Sequence, residues 1–255
     1  MLEKRVVALA SQKGGTGKTT TAINLGACLV EMGQKVLLLD TDPQANMTTG
    51  LGMRSDHLDK TIYDVMLNPN RSIDIAIYAT GMHNLDLVPS TLDLAGAEVE
   101  LSNKTDKIWV LSQAMQKATR NYDYIFIDTP PSLGLFTQNA LLACTEVIVP
   151  LQVHFYGLNA IQQLLRTILL LQEDNKTLHI SGIVCTMYDR RNSLSKVIEE
   201  TIREELKELV FETVIPINVA LAEAPASGQP ISTYAPASTG AQAYHELAKE
   251  VMNRG

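Results

Sequence analysis

The segment SQKGGTGKTT, residues 11–20, brings together two lysines, three glycines and three threonines. Glycines allow backbone N–H groups to converge on an anion, and a helix that begins here adds its partial positive charge. Gly17, Lys18 and Thr19 match the end of the phosphate-loop pattern G-x-x-x-x-G-K-[ST], but Gln12 replaces its first glycine. We therefore expect Lys18 on the β- and γ-phosphates of a nucleotide and the Thr19 hydroxyl on Mg²⁺. The other lysine has no role in this pattern.

Carboxylates follow two further apolar runs, VLLLDTDPQAN and DYIFIDTPPS. The first run ends in Asp40, with Asp42 two positions later, and alternation along a strand predicts both carboxylates on one side. Asp128 ends the second run. The carboxyl ends of parallel strands are where open α/β sheets bind ligands, and an aspartate there can hold Mg²⁺ through water. The sequence thus predicts a metal-dependent nucleotide site.

Short β-rich runs alternate with segments of helical period, which predicts an α/β fold with a mostly parallel sheet. Most of the runs are apolar on consecutive residues, as strands covered on both faces must be. The predicted strands are 6–10, 35–40, 85–88, 124–128, 146–150, 180–186 and 213–215. The predicted helices are 18–32, 61–67, 92–101, 107–119, 135–143, 158–173, 194–210 and 239–252. The Ala/Pro/Ser-rich stretch 222–238 is interpreted as an ordered loop within a single domain, 1–255.

The 255 residues carry a formal charge of −7. A net negative charge argues against a protein that binds nucleic acid through the electrostatic attraction of its whole surface. Cys28, Cys144 and Cys185 are widely spaced among apolar residues and are expected to be buried thiols. There is no signal-peptide pattern and no apolar run of bilayer length, so the sequence favours a cytoplasmic protein.

Three motifs together, KGGTGKTT, DTDPQAN and IDTPPS, resemble the deviant-Walker ATPases of the ParA/Soj type, which partition chromosomes and plasmids. The resemblance continues through VPSTLDLAGAEVEL, CTMYDRR and IPINVALAEAPASGQPI, and so covers nearly the whole chain. It implies a P-loop NTPase with a twisted, mostly parallel sheet flanked by helices on both faces. The implied cofactors are ATP and Mg²⁺.

The resemblance also gives the spare lysine a role. Lys13 corresponds to the family's signature lysine, which reaches the phosphates of ATP held by a second subunit in a sandwich homodimer. A second cation there would offset charge that develops in phosphoryl transfer. Gly14 and Gly15 would let the partner backbone approach closely. Slow hydrolysis, stimulated by a ParB-like centromere-binding protein, would separate the subunits.

Other site residues follow from the same resemblance. Asp42 corresponds to the residue that positions the attacking water, and Asp40 and Asp128 to residues that support Mg²⁺. The phosphates would lie against the backbone of the loop and its first helical turn. Pro216 and Asn218 correspond to positions around the adenine, with Met187 and Tyr188 as candidate neighbours, although loop packing explains them equally well. The phosphate-loop residues in this set are Lys13, Gly14, Gly15, Thr16, Gly17, Lys18, Thr19 and Thr20.

The expected DNA contacts depart from the family pattern. Ile217, Ala220, Ala237 and Thr239 stand where DNA-binding relatives commonly carry arginines. Salt-dependent, nonspecific binding to chromosomal DNA requires several cations near phosphates. The remaining basic candidates are Arg190, Arg191, Lys196, Arg203 and Lys207. Glutamates crowd the helix that carries the last three, and such mixed charge is also typical of a solvated surface.

Several alternatives stay open at this point. A ParA-like ATPase could position a cargo other than DNA, and a metabolic P-loop enzyme could phosphorylate a small molecule. A membrane role, as in MinD relatives, is disfavoured because the terminal helix is short and mixed in charge. Residues 152–156 lie in a region that senses the nucleotide in relatives, and Gln152 and Tyr156 are expected to pack there.

Overall fold

The computed structural model describes residues 4–54, 57–68, 70–154 and 157–254, so Tyr156 lies outside the described residues. Within them, eight strands form one sheet in the order β3-β4-β2-β5-β1-β6-β7-β8. The strands are β1 Arg5–Leu9, β2 Val36–Asp40, β3 Tyr78–Ala79, β4 Leu85–Val88, β5 Tyr124–Asp128, β6 Glu146–Gln152, β7 His179–Tyr188 and β8 Val210–Pro216. Only β3, at one edge of this sheet, runs antiparallel to its neighbour.

Helices cover both faces of this sheet. They are α1 Lys18–Glu31, α2 Asn46–Gly50, α3 Ile62–Leu67, α4 Leu94–Leu101, α5 Val110–Met115, α6 Leu135–Ala143, α7 Gly157–Leu171, α8 Ser193–Leu206, α9 Val219–Glu223, α10 Ile231–Tyr234 and α11 Thr239–Asn253, with 3₁₀ turns at Ile73–Ala76, Lys207–Leu209 and Ala224–Ser227. No helix in the described ranges is long and apolar enough to cross a membrane.

Strand alternation divides the core into two layers. Val7 and Leu9 of β1 pack with α1 and α11 on one face, whereas Ala8 joins residues of α3 to α8 on the other. β1, β2 and β5 are almost completely buried, as both-face coverage requires. The predicted α/β fold with helices on both faces is therefore confirmed.

Most predicted elements are present with ends shifted by a few residues, and β4, β5 and α6 have the predicted bounds. The prediction of helix to residue 210 was wrong. α8 ends at Leu206, Lys207 takes a left-handed φ of 46°, and Val210 starts β8 by pairing with Ile183. Burial of Val210 and Phe211 in the sheet outweighs the helical pattern of the charged residues before them.

Two other expectations are confirmed. The three cysteines are free and buried. The stretch 222–238 is ordered, and it is fastened to α1 by the Ile231 N–H, which donates to Asn24 Oδ1 at 2.7 Å. Its 3₁₀ turn and α10 were not predicted, because Pro225, Gly228 and Pro230 interrupt any longer period.

Candidate functional site

The glycine-rich loop joins β1 to α1 at the carboxyl edge of the sheet. Gly15 and Gly17 have φ values of 72° and 89°, which side chains with a Cβ rarely adopt. Gly17 is the N-cap of α1 and lacks a side chain to cap it, so the first helical N–H groups stay available to an anion. Thr186 Oγ1 donates to the Thr16 carbonyl at 2.8 Å and ties the loop to β7.

A cavity of about 550 Å³ opens above this loop. Residues 14–20 and Asp42 line it, together with Gln44 and Asn46 near α2 and Gln229 from the far side. Lys18 is buried at its base, and this burial lowers the pKa of its ammonium, while Asp128 and Asp42 oppose the shift. Such a concave site, with backbone donors and a buried cation, suits a polyphosphate.

Asp128 faces the start of α1. Thr19 Oγ1 donates to Asp128 Oδ2 at 2.6 Å, whereas Asp128 Oδ1 is buried and has no hydrogen-bond partner among the described residues. Burial and the neighbouring Asp40 raise the pKa of Asp128 to about 8. An orphaned carboxylate oxygen beside a threonine hydroxyl fits a hydrated Mg²⁺, which prefers oxygen ligands and keeps several waters. The donor set thus fits the predicted metal.

Asp40 and Asp42 occupy different environments. Asp40 ends β2, is fully buried, and accepts hydrogen bonds from Thr48 N–H, Thr48 Oγ1 and the Asp42 N–H at 2.9, 2.7 and 3.2 Å. Burial raises the pKa of Asp40 to about 6. Asp42 lies beyond the end of β2 and lines the cavity. The alternation of side chains along a strand, which predicted both carboxylates on one side, therefore does not apply to it. It accepts the Gln44 N–H at 2.9 Å.

The turn between these aspartates and α2 is conformationally unusual. Ala45 adopts a left-handed φ of 52° without being glycine, which costs energy and marks a conformation imposed by its surroundings. It allows α2 to place Thr48 beneath Asp40. Thr48 Oγ1 also accepts the Ser90 N–H at 2.9 Å, so a buried chain of hydrogen bonds runs from Asp40 to the end of β4. Sequence reasoning missed both Thr48 and Ser90.

The two lysines of the loop point to different places. Lys13 is exposed and donates to Gln152 Oε1 at 2.8 Å, whereas the lining of the phosphate cavity begins at Gly14. Lys18 is buried inside that cavity. Lys13, the spare lysine, therefore lies on the protein surface at the start of the phosphate loop, and it is not part of the cavity lining.

A second cavity, of about 500 Å³, meets the first at Gly17 and Thr20. It brings together the predicted adenine residues Met187, Pro216 and Asn218. The Asn218 amide is already engaged, because Oδ1 accepts the Leu221 N–H and Nδ2 donates to Thr239 Oγ1. Lining residues that sequence reasoning missed include Thr186, Asn192, Ile215 and Leu221.

The basic candidates differ in their surroundings. Arg190 and Arg191 border an open groove of about 410 Å³ with apolar Ile217 and Val219, and they make no ion pair with any described residue. Two of the other candidates are paired on α8. Lys196 lies 3.8 Å from Glu200, and Arg203 contacts both Glu199 and Glu212.

No group of three or more His, Cys, Asp or Glu side chains is arranged to hold a metal within the described part of the chain. A Mg²⁺ ion at Thr19 and Asp128 would therefore need phosphate oxygens and water to complete its shell.

Known proteins resemble this chain over most of its length. An AAA domain family model matches residues 4–180. The chain is 46% identical over 252 residues to the sporulation initiation inhibitor protein Soj of Bacillus subtilis, covering 98% of this chain and 99% of that protein. It is 44% identical over 253 residues to the chromosome partitioning protein ParA of Caulobacter vibrioides, covering 98% and 94% respectively.

Among solved structures, a cobyrinic acid a,c-diamide synthase from Mycobacterium smegmatis with bound ADP and magnesium is similar, with a TM-score of 0.84 and 35% identity. The match covers 98% of this chain and 95% of that one. Relatives that match nearly end to end include several chromosome-partitioning ATPases. This chain therefore belongs to the ParA/Soj family of chromosome-partitioning ATPases.

Proposed function

We propose that the protein is an ATP-dependent molecular switch for DNA segregation. MgATP drives two copies into a sandwich dimer, the dimer binds nonspecific DNA, and hydrolysis releases it. The observation that carries this proposal is the separation of the two lysines. Lys18 is buried in the chain's own phosphate cavity, while Lys13 is exposed beside it and donates a hydrogen bond to Gln152. A surface lysine so placed can serve a nucleotide held by a second subunit.

Within one subunit, the phosphates would rest on the backbone N–H groups of residues 14–20 and on Lys18. Thr19 and Asp128 would hold Mg²⁺, Asp128 through water. Asp40 would support Mg²⁺ indirectly and not as a ligand, because its carboxylate oxygens already accept hydrogen bonds from Thr48 and from the Asp42 backbone. Mg²⁺ bound there would lower the pKa of both buried carboxyls, because a nearby cation favours the charged form.

Asp42 is the acidic side chain placed to act on water, since it lines the phosphate cavity. In hydrolysis, a water oxygen bonds to the γ-phosphorus as the bond to the β–γ bridging oxygen breaks, and the water proton passes to a phosphate oxygen or solvent. A carboxylate positions this water more than it deprotonates it. Lys13 from the second subunit would offset charge on the bridging oxygen. Lys13 of the second subunit reaches the phosphates only in the dimer, so turnover by a single subunit is slow. A stimulating partner protein would raise turnover by stabilising the arrangement of the dimer in which hydrolysis occurs.

The adenine would lie in the second cavity, which adjoins the phosphate site at Gly17 and Thr20. Its walls at Met187 and Pro216 are apolar enough to cover a base. Asn218 acts there by capping α9 and joining it to Thr239, which shapes the wall. The stimulating partner is a ParB-like centromere-binding protein.

DNA contact would centre on Arg190 and Arg191, since Lys196 and Arg203 are already paired with carboxylates. A dimer would present this pair twice. A second candidate function, positioning of a protein cargo, is favoured by the exposed apolar side chains of Ile217 and Val219 beside the same arginines. A third, small-molecule amidation or phosphorylation, has the Mycobacterium smegmatis synthase as its support, but at lower identity than the partition proteins.

The test of the switch is Lys13→Ala, with Lys176→Ala as the control because Lys176 is an exposed lysine far along the chain from the site. We expect Lys13→Ala to abolish ATP-induced dimerisation, measured by size-exclusion chromatography with light-scattering detection, and to lower ATP turnover. The control should match the wild type in both measurements. Unchanged dimerisation and turnover in Lys13→Ala would refute the switch.

Binding of the dimer to DNA is tested separately, by measuring ATP-dependent binding to duplex DNA of random sequence at about 50 and 200 mM salt. Phosphate contacts predict a steep loss of affinity over this range and a further loss in Arg190→Ala/Arg191→Ala. Binding that is absent even at the lower salt would leave the protein-cargo function, and a product other than ADP and phosphate would favour the metabolic enzyme.

A further inference from the structure

Gln12 is the residue at which the phosphate loop departs from the ordinary pattern, which has a glycine at that position. Its side chain reaches helix α7, where Gln12 Nε2 donates a hydrogen bond to Gln163 Oε1 at 2.7 Å. Glycine has no side chain that could make this contact. The glutamine therefore links the beginning of the loop to α7.

Helix α7 is a firm support for this link. Three apolar residues on its inner face are buried in the core layer that also contains residues of β6, namely Ile161, Leu164 and Ile168. Gln163 lies on the same helix and is exposed. Because a close-packed core yields little to displacement, α7 keeps its place on the sheet. Gln163 is therefore a fixed acceptor for the side chain of Gln12.

Two further hydrogen bonds fasten the same loop. Lys13 Nζ donates to Oε1 of Gln152, the last residue of β6, at 2.8 Å. Thr186 Oγ1 of β7 donates to the Thr16 carbonyl, also at 2.8 Å. In the sandwich dimer, Lys13 would leave Gln152 for the phosphates of the second subunit's nucleotide. The bond from Gln12 to Gln163 can then remain as the fastening next to Lys13.

The residues that follow Lys13 restrain it little. Gly14 and Gly15 are both exposed, and a Cβ at Gly15 would meet nothing within 4 Å. Glycine has more backbone freedom than any other residue, and ordering it costs correspondingly more entropy. The backbone that carries Lys13 is therefore held mainly from its other side, where Gln12 lies.

We propose that Gln163 is a positioning residue for Lys13. By holding Gln12, it fixes the backbone from which Lys13 extends, so that the ammonium is presented at the protein surface to a second subunit. Such preorganisation reduces the entropy that is lost when Lys13 binds phosphate. The proposal rests on the proposed function, because it is the nucleotide of a second subunit that Lys13 would reach.

The position of this bond separates it from nucleotide binding within one subunit. Among the described residues that line the phosphate cavity and the second cavity, neither Gln12 nor Gln163 occurs. The bond is also exposed to solvent, so it contributes little to the stability of the whole fold. Loss of the bond should therefore weaken dimerisation while the affinity of a single subunit for nucleotide stays the same.

The test uses Gln163→Met, which keeps the length and the helix propensity of glutamine but removes the acceptor. Gln12→Met removes the donor, and the double variant combines both changes. Gln162→Met is the matched control, because Gln162 is the neighbouring exposed glutamine of α7. Gln163→Glu is the conservative variant, since its carboxylate oxygens can still accept from Gln12 Nε2.

Three quantities are measured for each full-length protein. Sedimentation equilibrium with Mg²⁺ and a nonhydrolysable ATP analogue gives the dissociation constant of the dimer. Calorimetric titration with MgADP gives the nucleotide affinity of a single subunit, and thermal unfolding gives stability. ATP turnover is measured as well, for Gln163→Met both alone and combined with Lys13→Ala.

We expect Gln163→Met and Gln12→Met each to raise the dissociation constant of the dimer about tenfold. A single exposed hydrogen bond changes an equilibrium roughly threefold, and each dimer contains the bond twice. The double variant should be no weaker than either single variant, because both remove the same bond. Gln162→Met and Gln163→Glu should dimerise as the wild type does, and all variants should keep the wild-type ADP affinity and melting temperature. Gln163→Met should lower turnover in the wild type and have no further effect in Lys13→Ala.

A wild-type dissociation constant in Gln163→Met would overturn the positioning role, and so would an ADP affinity that falls as much as dimerisation does. Losses that multiply in the double variant would show that the two glutamines act separately, which also overturns it. A Gln163→Glu variant as weak as Gln163→Met would do the same. If the wild type itself forms no dimer with the analogue, the proposed function fails and this role fails with it. Equal dimerisation by variant and wild type refutes only the role of Gln163, so the two failures are distinguishable.

Discussion

Thr48→Val tests the buried chain of hydrogen bonds between the metal site and β4. Valine keeps the branched shape of threonine but replaces the hydroxyl with a methyl group. Thr48 Oγ1 donates to Asp40 Oδ2 at 2.7 Å and accepts the Ser90 N–H at 2.9 Å, and all three residues are buried. The substitution therefore removes two bonds at once and leaves the Ser90 N–H without its acceptor.

The expected cost follows from these two losses. A bond to a charged acceptor contributes about 1.5–3 kcal/mol, and a buried donor left without a partner costs about 1–3 kcal/mol. Asp40 keeps its bonds to the Thr48 and Asp42 backbone N–H groups, so the lower ends of both ranges apply. We expect the free energy of unfolding to fall by about 2.5 kcal/mol, and the melting temperature by roughly 5–10 °C for a chain of this size.

Thr48→Ser is the matched control, because it keeps the hydroxyl and loses one methyl group, at a cost of about 1 kcal/mol. The assay is urea unfolding of both variants and the wild type without nucleotide, followed by ATP turnover as Mg²⁺ is titrated. Thr48→Val should require more Mg²⁺ for half-maximal turnover, because Asp40 is no longer oriented. If Thr48→Val unfolds at the same urea concentration as Thr48→Ser, the hydrogen-bond chain contributes no net stability and the reasoning fails.

Three other predictions concern different parts of the molecule. Asp42→Ala should keep ATP-induced dimerisation but hydrolyse ATP far more slowly, and rapid turnover by this variant would remove Asp42 from its role. Gly182→Ala should destabilise the fold by about 1–3 kcal/mol, since its Cβ would lie 2.2 Å from the Phe211 ring, whereas Gly81→Ala has open space and should be nearly neutral in thermal unfolding. Burial raises the pKa of Asp128 in the folded protein without metal to about 8, whereas its pKa in the unfolded chain is about 4. Between these pH values the folded protein keeps a proton that the unfolded chain has released. Its unfolding free energy should therefore fall as pH rises between these values, and Asp128→Asn should flatten the decline; equal slopes in urea titrations of the two proteins would contradict this.

The central strands and the phosphate loop were predictable because their signals are local. β5 reads as consecutive apolar residues ending in Asp128, and α1 begins where the glycines end. β3 has only two residues, at the end of the apolar run 75–79, and the first residues of that run belong to the 3₁₀ turn Ile73–Ala76, so the run did not indicate a strand. α9 and α10 are too short for a helical period, and Asn218 and Pro230 begin them. α10 packs on α1 and α11, and α9 packs on α10 and the 3₁₀ turn Ala224–Ser227.

The site was predictable in its residues more than in its geometry. Asp42 and Asp128 lie beside the loop and Asp40 lies near Asp128, but their separate environments depend on a bond to Thr48, eight positions after Asp40. The alternation rule holds only within a strand, and β2 ends at Asp40. Basic residues on α8 likewise could be counted from the sequence, while their pairing with glutamates required the structure.

The buried charges at this edge of the sheet make sense only together with a ligand. Lys18, Asp40 and Asp128 are all removed from water, and the carboxyl pKa values are raised by burial. Burial of such ionisable groups costs stability in the protein without ligand, and bound MgATP would offset that cost by supplying their partners. A ligand shifts a conformational equilibrium only by interacting differently with the two states. Because Asp40 is bonded through Thr48 to Ser90, Mg²⁺ bound near Asp40 would also favour the arrangement in which the Ser90 backbone is held. By reciprocity, loss of that arrangement in Thr48→Val should weaken the binding of Mg²⁺.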